Sequence, residues 1–246
     1  MGLRCWRATA EKKVKNFNLT KSLSFVYSLT FVSLNFLSLN SIEAKASQLP
    51  NVVFLMADDL GYGDTGFNGN KIIKTPHLDA MANDGIRFTR FYSIGPVCAP
   101  TRASALTGRH YMRYGMMDVN VGKLPKQEIT IARLCKQKGY LTGHFGKWHL
   151  GTLSKTESPR HKDPAKDFAP PWERDYDDAM GTEISVPTWN PASGDHSNHD
   201  APYWHNGKKV TDNLEGDDSR VIMDRAIPFI QNAVKENKPF MTTIWF

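Results

Sequence analysis

Cysteine is scarce in this sequence: Cys5, Cys98 and Cys135 are the three present in 246 residues. That excludes a disulfide-stapled scaffold, which needs several bridges in place of a large core. Internal repeats and low-complexity tracts are absent too, which sets aside solenoids, propellers and disordered linkers. The formal net charge of +6 suggests a basic protein only until its location is considered. Residues 1–46 hold seven of the 31 basic and two of the 25 acidic residues, so the remainder is nearly balanced, 24 against 23. Without a clustered basic face there is no footprint for nucleic acid.

The N-terminus has a different pattern. Arg4, Arg7, Lys12, Lys13, Lys15 and Lys21 precede an uncharged, largely apolar stretch over residues 22–42, which closes on Ala44-Lys45-Ala46. Basic, then apolar, then small residues is the order of a secretory signal. An uncleaved anchor is the alternative, but the serines and two asparagines in the stretch make it a poor membrane span. The expectation is a signal over residues 1–46, cleavage after Ala46, no stable span afterwards, and a secreted or periplasmic product. Residues 47–246 are then long enough for one sizeable core. The last eight residues, 239–246, read as a buried strand with no polar tail. Natural termini usually lie at the surface, so the chain is expected to be cut inside its fold.

Residues 51–57, Asn-Val-Val-Phe-Leu-Met-Ala, form a short apolar run expected to be a buried parallel strand. Thr75-Pro76 opens a predicted helix with Leu78, Met81 and Ala82 at helical spacing, and Gly85 ends it. Residues 86–92 alternate enough to predict a second strand. Residues 100–108 predict a helix with Pro in its first turn. Residues 128–138 predict another, with Ile129, Ala132, Leu134 and Cys135 inward, and residues 140–145 a third strand. Residues 152–216 are rich in Pro, Asp, Asn, Gly and Trp and read as an elaborated loop region. Residues 217–235 are helical by pattern, with Pro228 expected to kink or divide them. Strands alternating with helices predict an α/β fold: a mostly parallel central sheet with helices on both faces.

Asp58 and Asp59 stand directly after the first predicted strand. Ligands of open α/β sheets bind at the carboxyl ends of strands, and adjacent carboxylates there repel unless a cation lies between them. Hard oxygen donors favour Ca²⁺ or Mg²⁺; a solvated turn is the plainer alternative. Gly61-Tyr62-Gly63-Asp64-Thr65-Gly66 matches the G-x-G-x-x-G dinucleotide pattern. It is rejected, because Phe67-Asn68-Gly69-Asn70 is a poor helix start and Asp58, Asp59 and Asp64 would face a pyrophosphate with negative charge. Four histidines, His161, His196, His199 and His205, invite a zinc reading, but no cysteine partners or helical spacing support it. Solvated loop histidines are expected instead.

Cys98-Ala99-Pro100-Thr101-Arg102, followed by Leu106-Thr107-Gly108-Arg109, resembles the sulfatase signature C-x-P-[ST]-R with its L-T-G-R extension. Gly146-Lys147-Trp148-His149 is similar to the family's G-K-W-H segment. Thr101 replaces the more usual serine, and Phe145 is bulkier than the small apolar residue often found there. A position just before a helix near Pro100 also suits a nucleophile. The helix N-terminus stabilises negative charge, and Arg102, one turn in, adds a charge that cannot titrate away. A disulfide between Cys98 and Cys135 would not need this setting.

The resemblance implies an alkaline-phosphatase-like α/β fold, incomplete at the C-terminus, since the family's later Pro-His, Asp-Asn and lysine positions do not occur before Phe246, so that this chain by itself is expected to bind calcium weakly or not at all and to be inactive. It implies that Cys98 is oxidised to formylglycine by a formylglycine-generating or sulfatase-maturating enzyme. The hydrate of that aldehyde attacks sulfur, with Asp58, Asp59 and residue 98 holding part of a Ca²⁺ shell, Mg²⁺ being the lesser alternative. Arg102 and Lys147 are expected to stabilise the nucleophile and the sulfuryl oxygens, and His149 to stand near them. The implied substrate is a sulfate ester. Trp172, Trp189 and Trp204, whose rings can stack on sugars, suggest a sulfated polysaccharide, though core packing accounts for them equally. The rival readings are a phosphodiester or phosphonate monoester hydrolase of the same superfamily, and a non-catalytic remnant.

Overall fold

The structure, a computed structural model, describes residues 49–192 and 201–246. The basic and apolar N-terminal segment, His196 and His199 lie outside them. A parallel ladder organises the rest. Strand β1 (Val52–Met56) and β2 (Leu141–Gly146) both flank β6 (Phe240–Trp245), and β3 (Asp178–Gly181) continues the sheet beyond β2. A short antiparallel edge, β4 (Trp204–His205) and β5 (Lys208–Lys209), completes the order β1-β6-β2-β3-β4-β5. The sheet is therefore mostly parallel.

Alternation along β6 divides its side chains between two cores, because successive residues of a strand face opposite ways. Met241 and Trp245 join Ala99, Ala103 and Leu106 of α2 (Cys98–Thr107) and Ala132 of α3 (Ile131–Gln137). Ile244 faces the other way, with Phe145 of β2 and Val221, Ile222 and Ala226 of α4 (Asp218–Lys235). Helices thus cover both faces, as expected. Val221 and Ile222 are fully buried, and each such side chain contributes about 2 kcal/mol over leaving it exposed. Asp217 starts α4 by accepting a hydrogen bond from Arg220 N at 3.2 Å, which satisfies one orphan donor of the first turn.

Several expectations need correction. Residues 86–92 form no strand, and Ile86, Phe88, Phe91 and Tyr92 are exposed; among the described residues no strand lies alongside to take up their backbone groups. Helix α1 (Pro76–Asp84) forms after Thr75-Pro76, yet Leu78 and Met81 are exposed. Helix α2 begins at Cys98, two residues before the expected start. Helix α3 begins at Ile131, because the Thr130 side chain accepts from Arg133 N and caps it. Ala132 is buried there, but Ile129 and Leu134 are exposed. Pro228 does not divide α4, which runs unbroken for 18 residues. Both Pro228 and Asp224, whose carbonyl loses its helical donor, are on the exposed face, where water can replace the lost bond. Residues 152–216 supply β3, β4 and β5, which their composition did not announce. Among the described residues no helix is long and apolar enough to cross a membrane.

The sequence Gly61–Gly66 folds into one short 3₁₀ turn at Tyr62–Asp64 and leads into a second at Gly66–Asn68. Gly61 N donates to Asp64 Oδ2 at 2.7 Å and Phe67 N to Asp79 Oδ1 at 2.7 Å. Carboxylates of the chain itself occupy the amides that a pyrophosphate would need, in keeping with the rejected dinucleotide reading.

Candidate active site

The candidate side chains converge where the parallel strands end. Asp58 follows β1, Lys147 follows β2, and Cys98 and Arg102 are the first and fifth residues of α2. Strand β2 stops because Gly146 has φ +104°, a left-handed conformation suited to glycine. A Cβ there would lie 1.9 Å from the Trp245 carbonyl oxygen. This close approach lets Lys147 N donate to Trp245 O at 2.9 Å and turns the lysine into the site.

Lys147 Nζ donates to Asp58 Oδ2 at 2.7 Å and to Cys98 Sγ at 3.2 Å. Arg102 donates to Asp58 Oδ1 at 2.9 Å, to the Lys147 carbonyl at 3.1 Å and to the Phe246 carbonyl at 3.1 Å. Both cations are almost wholly buried, so solvent screens their pairing weakly. Burial works to raise the Asp58 carboxyl, but Lys147 and Arg102 outweigh it and hold the group below the usual carboxylate range. Beneath Arg102, its guanidinium carbon is 5.1 Å from the Trp245 ring centroid. Val97 offers α2 no side-chain cap, leaving the first-turn amides beside Cys98 to favour an anion.

His149 does not share this hydrogen-bond network. The residues after β2 are irregular and His149 itself has φ +56°, so the alternation of a strand does not carry over to it. Its Nε2 bonds Asn120 Oδ1 at 3.1 Å, and its Nδ1 is buried without a protein partner. Burial first, then the charges of Lys147 and Arg102, push its pKa down to about 3, so the ring is neutral at ordinary pH. A carbonyl oxygen can only accept, so Nε2 carries the proton and Nδ1 the lone pair. Trp148, between the two residues, is wholly buried with its indole N–H on the Ala169 carbonyl at 2.8 Å.

Asp59 is exposed, with φ +53°. Among the described residues no group of three His, Cys, Asp or Glu side chains is gathered for a metal ion. The chemistry of the donors nevertheless fits a hard cation in part: two adjacent carboxylates supply oxygen, whereas the Cys98 thiol is too soft for calcium. Conversion of residue 98 to an oxygen-bearing group would remove that mismatch. Cys98 and Cys135 are both free. His161 is buried rather than solvated, its Nδ1 2.8 Å from Asp167 Oδ2, and His205 bonds Asp178. Among the described residues neither stands in a group of three His, Cys, Asp or Glu side chains that could hold a metal ion. Asn120 and Trp245 had not been singled out. Asn120 stands in a loop with no motif around it. Trp245 was visible as part of an apolar strand, but its contact with Arg102 depends on strand order.

A mostly parallel sheet thus gathers a cysteine at a helix N-terminus, a buried lysine–arginine pair and two carboxylates at its strand ends. The sulfatase family model matches residues 50–246, and the chain belongs to the sulfatase family. It is 43% identical to human steryl-sulfatase over 131 residues, 48% of this chain and 22% of that protein. It is similar in structure to Ps i-CgsB in complex with k-i-k-neocarrahexaose, with a TM-score of 0.66 at 29% identity, over 80% of this chain and 45% of that one. It is also similar to BT4656 in complex with its substrate D-glucosamine-2-N,6-O-disulfate, with a TM-score of 0.59 at 29% identity, over 80% of this chain and 34% of that one. The fold is the alkaline-phosphatase-like one of these sulfatase structures. The chain spans less than half the length of each of these relatives.

Proposed function

We propose that the protein hydrolyses sulfate esters, with residue 98 as nucleophile after conversion of Cys98 to formylglycine, and that its substrates are sulfated carbohydrates. The observation that carries this reading is the position of Lys147 Nζ, within hydrogen-bond distance of both Asp58 and Cys98. One buried cation thereby spans the carboxylate and the nucleophile. The formylglycine hydrate supplies an oxygen nucleophile that can later expel sulfate, and Asp58, Asp59 and residue 98 would hold a calcium ion, which would supply Lewis acidity there.

The chain's own residues do the rest. Arg102, fixed by three oxygens and the Trp245 face, keeps Asp58 oriented and adds positive potential where negative charge develops. Lys147 holds residue 98 and offers its remaining donor capacity to a sulfuryl oxygen. Neutral His149 presents an unpartnered Nδ1 that can take a proton from a nearby hydroxyl. A maturating enzyme is the implied partner, and residues 1–46 are the implied secretory signal. Residues 47–246 form the N-terminal part of the catalytic domain. The sugar substrate is supported by the carbohydrates bound to the two similar structures.

Two measurements on the same preparation test the reading. Peptide mass spectrometry of the segment with Cys98 is expected to find the aldehyde, which is lighter than the thiol. Turnover of 4-nitrophenyl sulfate is expected to exceed that of bis(4-nitrophenyl) phosphate; the opposite order would make the protein a phosphodiester hydrolase.

A further inference from the structure

A cavity of about 320 Å³ opens beside the catalytic cluster. Its walls include Ala57 and Asp58 after β1, Lys147 after β2, Thr182 after β3 and Phe246 after β6, so it sits at the carboxyl ends of the parallel strands, where ligands of such sheets bind. The size suits a single small ring. Ile222, Val186 and Phe246 supply apolar surface, and Ser185, Thr188 and Ser219 supply hydroxyls. Of the charged residues in its lining, Lys147 and Asp58 are paired with each other. Asp218, the first residue of α4, stands in the wall with Tyr203, whose hydroxyl donates to Asp218 Oδ1. Tyr203 is itself buried and so holds that carboxylate in place. No cation pairs with Asp218 among the described ion pairs, and its chain neighbour Asp217 adds negative charge.

From this half-buried carboxylate without a cation partner we infer that Asp218 is a specificity determinant: it accepts a free hydroxyl of the sugar that carries the scissile sulfate, and it disfavours a second anionic substituent on that ring. The inference rests on the sulfatase reading above. A carboxylate accepts hydrogen bonds from sugar hydroxyls, whereas a second sulfate beside Asp218 would meet a like charge in a half-buried wall. Lys147, in the same lining, favours the scissile sulfate.

The test compares kcat/KM for D-glucosamine 6-O-sulfate and D-glucosamine-2-N,6-O-disulfate on one preparation, a ratio that is independent of the fraction of active protein. The unaltered protein is expected to prefer the monosulfated sugar by about tenfold or more, since like charges in such a wall cost at least that. Asp218→Asn removes the charge while keeping the acceptor oxygen and is expected to shrink the preference to about threefold or less. Tyr203→Phe, which keeps the charge, is expected to retain it. An unchanged ratio in Asp218→Asn, loss of the preference in Tyr203→Phe, or an initial preference for the disulfated sugar would overturn the inference. Turnover of 4-nitrophenyl sulfate with neither sugar cleaved would also overturn it while leaving the sulfatase reading intact. Failure to cleave any of the three would overturn both.

Discussion

The Arg102 guanidinium lies against the Trp245 ring, its carbon 5.1 Å from the ring centroid, and both residues are almost wholly buried. Trp245 is itself enclosed by His144, Trp148 and Phe54. A desolvated contact of this kind is worth about 2 kcal/mol. Trp245→Phe keeps a π face and is expected to retain most turnover. Trp245→Ala removes it, leaves a cavity, and is expected to cost about 3–5 kcal/mol of stability. Urea denaturation paired with kcat on 4-nitrophenyl sulfate checks both.

Lys147 joins Asp58 to Cys98 through a single ammonium. Lys147→Met keeps much of the stem but removes the donors, and kcat is expected to fall about 10²–10³-fold. Lys147→Arg is not expected to rescue it. A planar guanidinium is a different shape from a compact ammonium, and the site is only 4% exposed. Steady-state kinetics on both variants provides the comparison.

Asp58 and its neighbour separate structure from solvation. Asp58→Asn leaves the buried charges of Arg102 and Lys147 without their anion and is expected to destabilise the fold by about 3 kcal/mol. Asp59 is exposed, and Asp59→Asn is expected to change stability by about 0.5 kcal/mol or less. Chemical denaturation without added calcium measures the difference free of metal binding.

Acid sensitivity follows from two histidines. Burial holds both His144 and His149 down to about 3, against 6.5 for a free imidazole. The unfolded chain therefore binds protons below pH 6.5 that the folded chain refuses. Stability is fully present above that pH and is lost as pH falls toward 3, at up to about 1.4 kcal/mol per pH unit for each ring. His144→Gln removes one of the two contributions, so the acid slope of the unfolding midpoint is expected to decrease in that variant.

The elements most legible in the sequence were those whose own pattern suffices. Residues 51–57 and 239–246 declared strands by unbroken apolar runs, though β1 was expected to be buried and instead lies at the sheet edge with Val53 and Leu55 exposed; the period of Val221, Ile222, Ala226 and Ala233 declared α4. The motif around Cys98 marked residue 98, and the structure brings Lys147 to it and Asp58 and Arg102 into the same hydrogen-bond network. What failed depended on neighbours. Residues 86–92 alternate like a strand, but no described strand pairs with them. Leu134 has the spacing of a core residue, but α3 starts three residues later than expected and leaves it exposed. The roles of Trp245 and Asn120 required the strand order and a loop path that periodicity does not contain. Pro228 does not divide α4, because solvent on the exposed face offsets the missing donor.

The most direct measurement is sulfate release from 4-nitrophenyl sulfate by the protein and by its Cys98→Ala variant, with folding of both verified by denaturation. Cys98 is only partly buried, so the smaller side chain is expected to fold. If residue 98 is the nucleophile, release falls to the uncatalysed background in Cys98→Ala. Release at the rate of the unaltered protein would contradict that assignment.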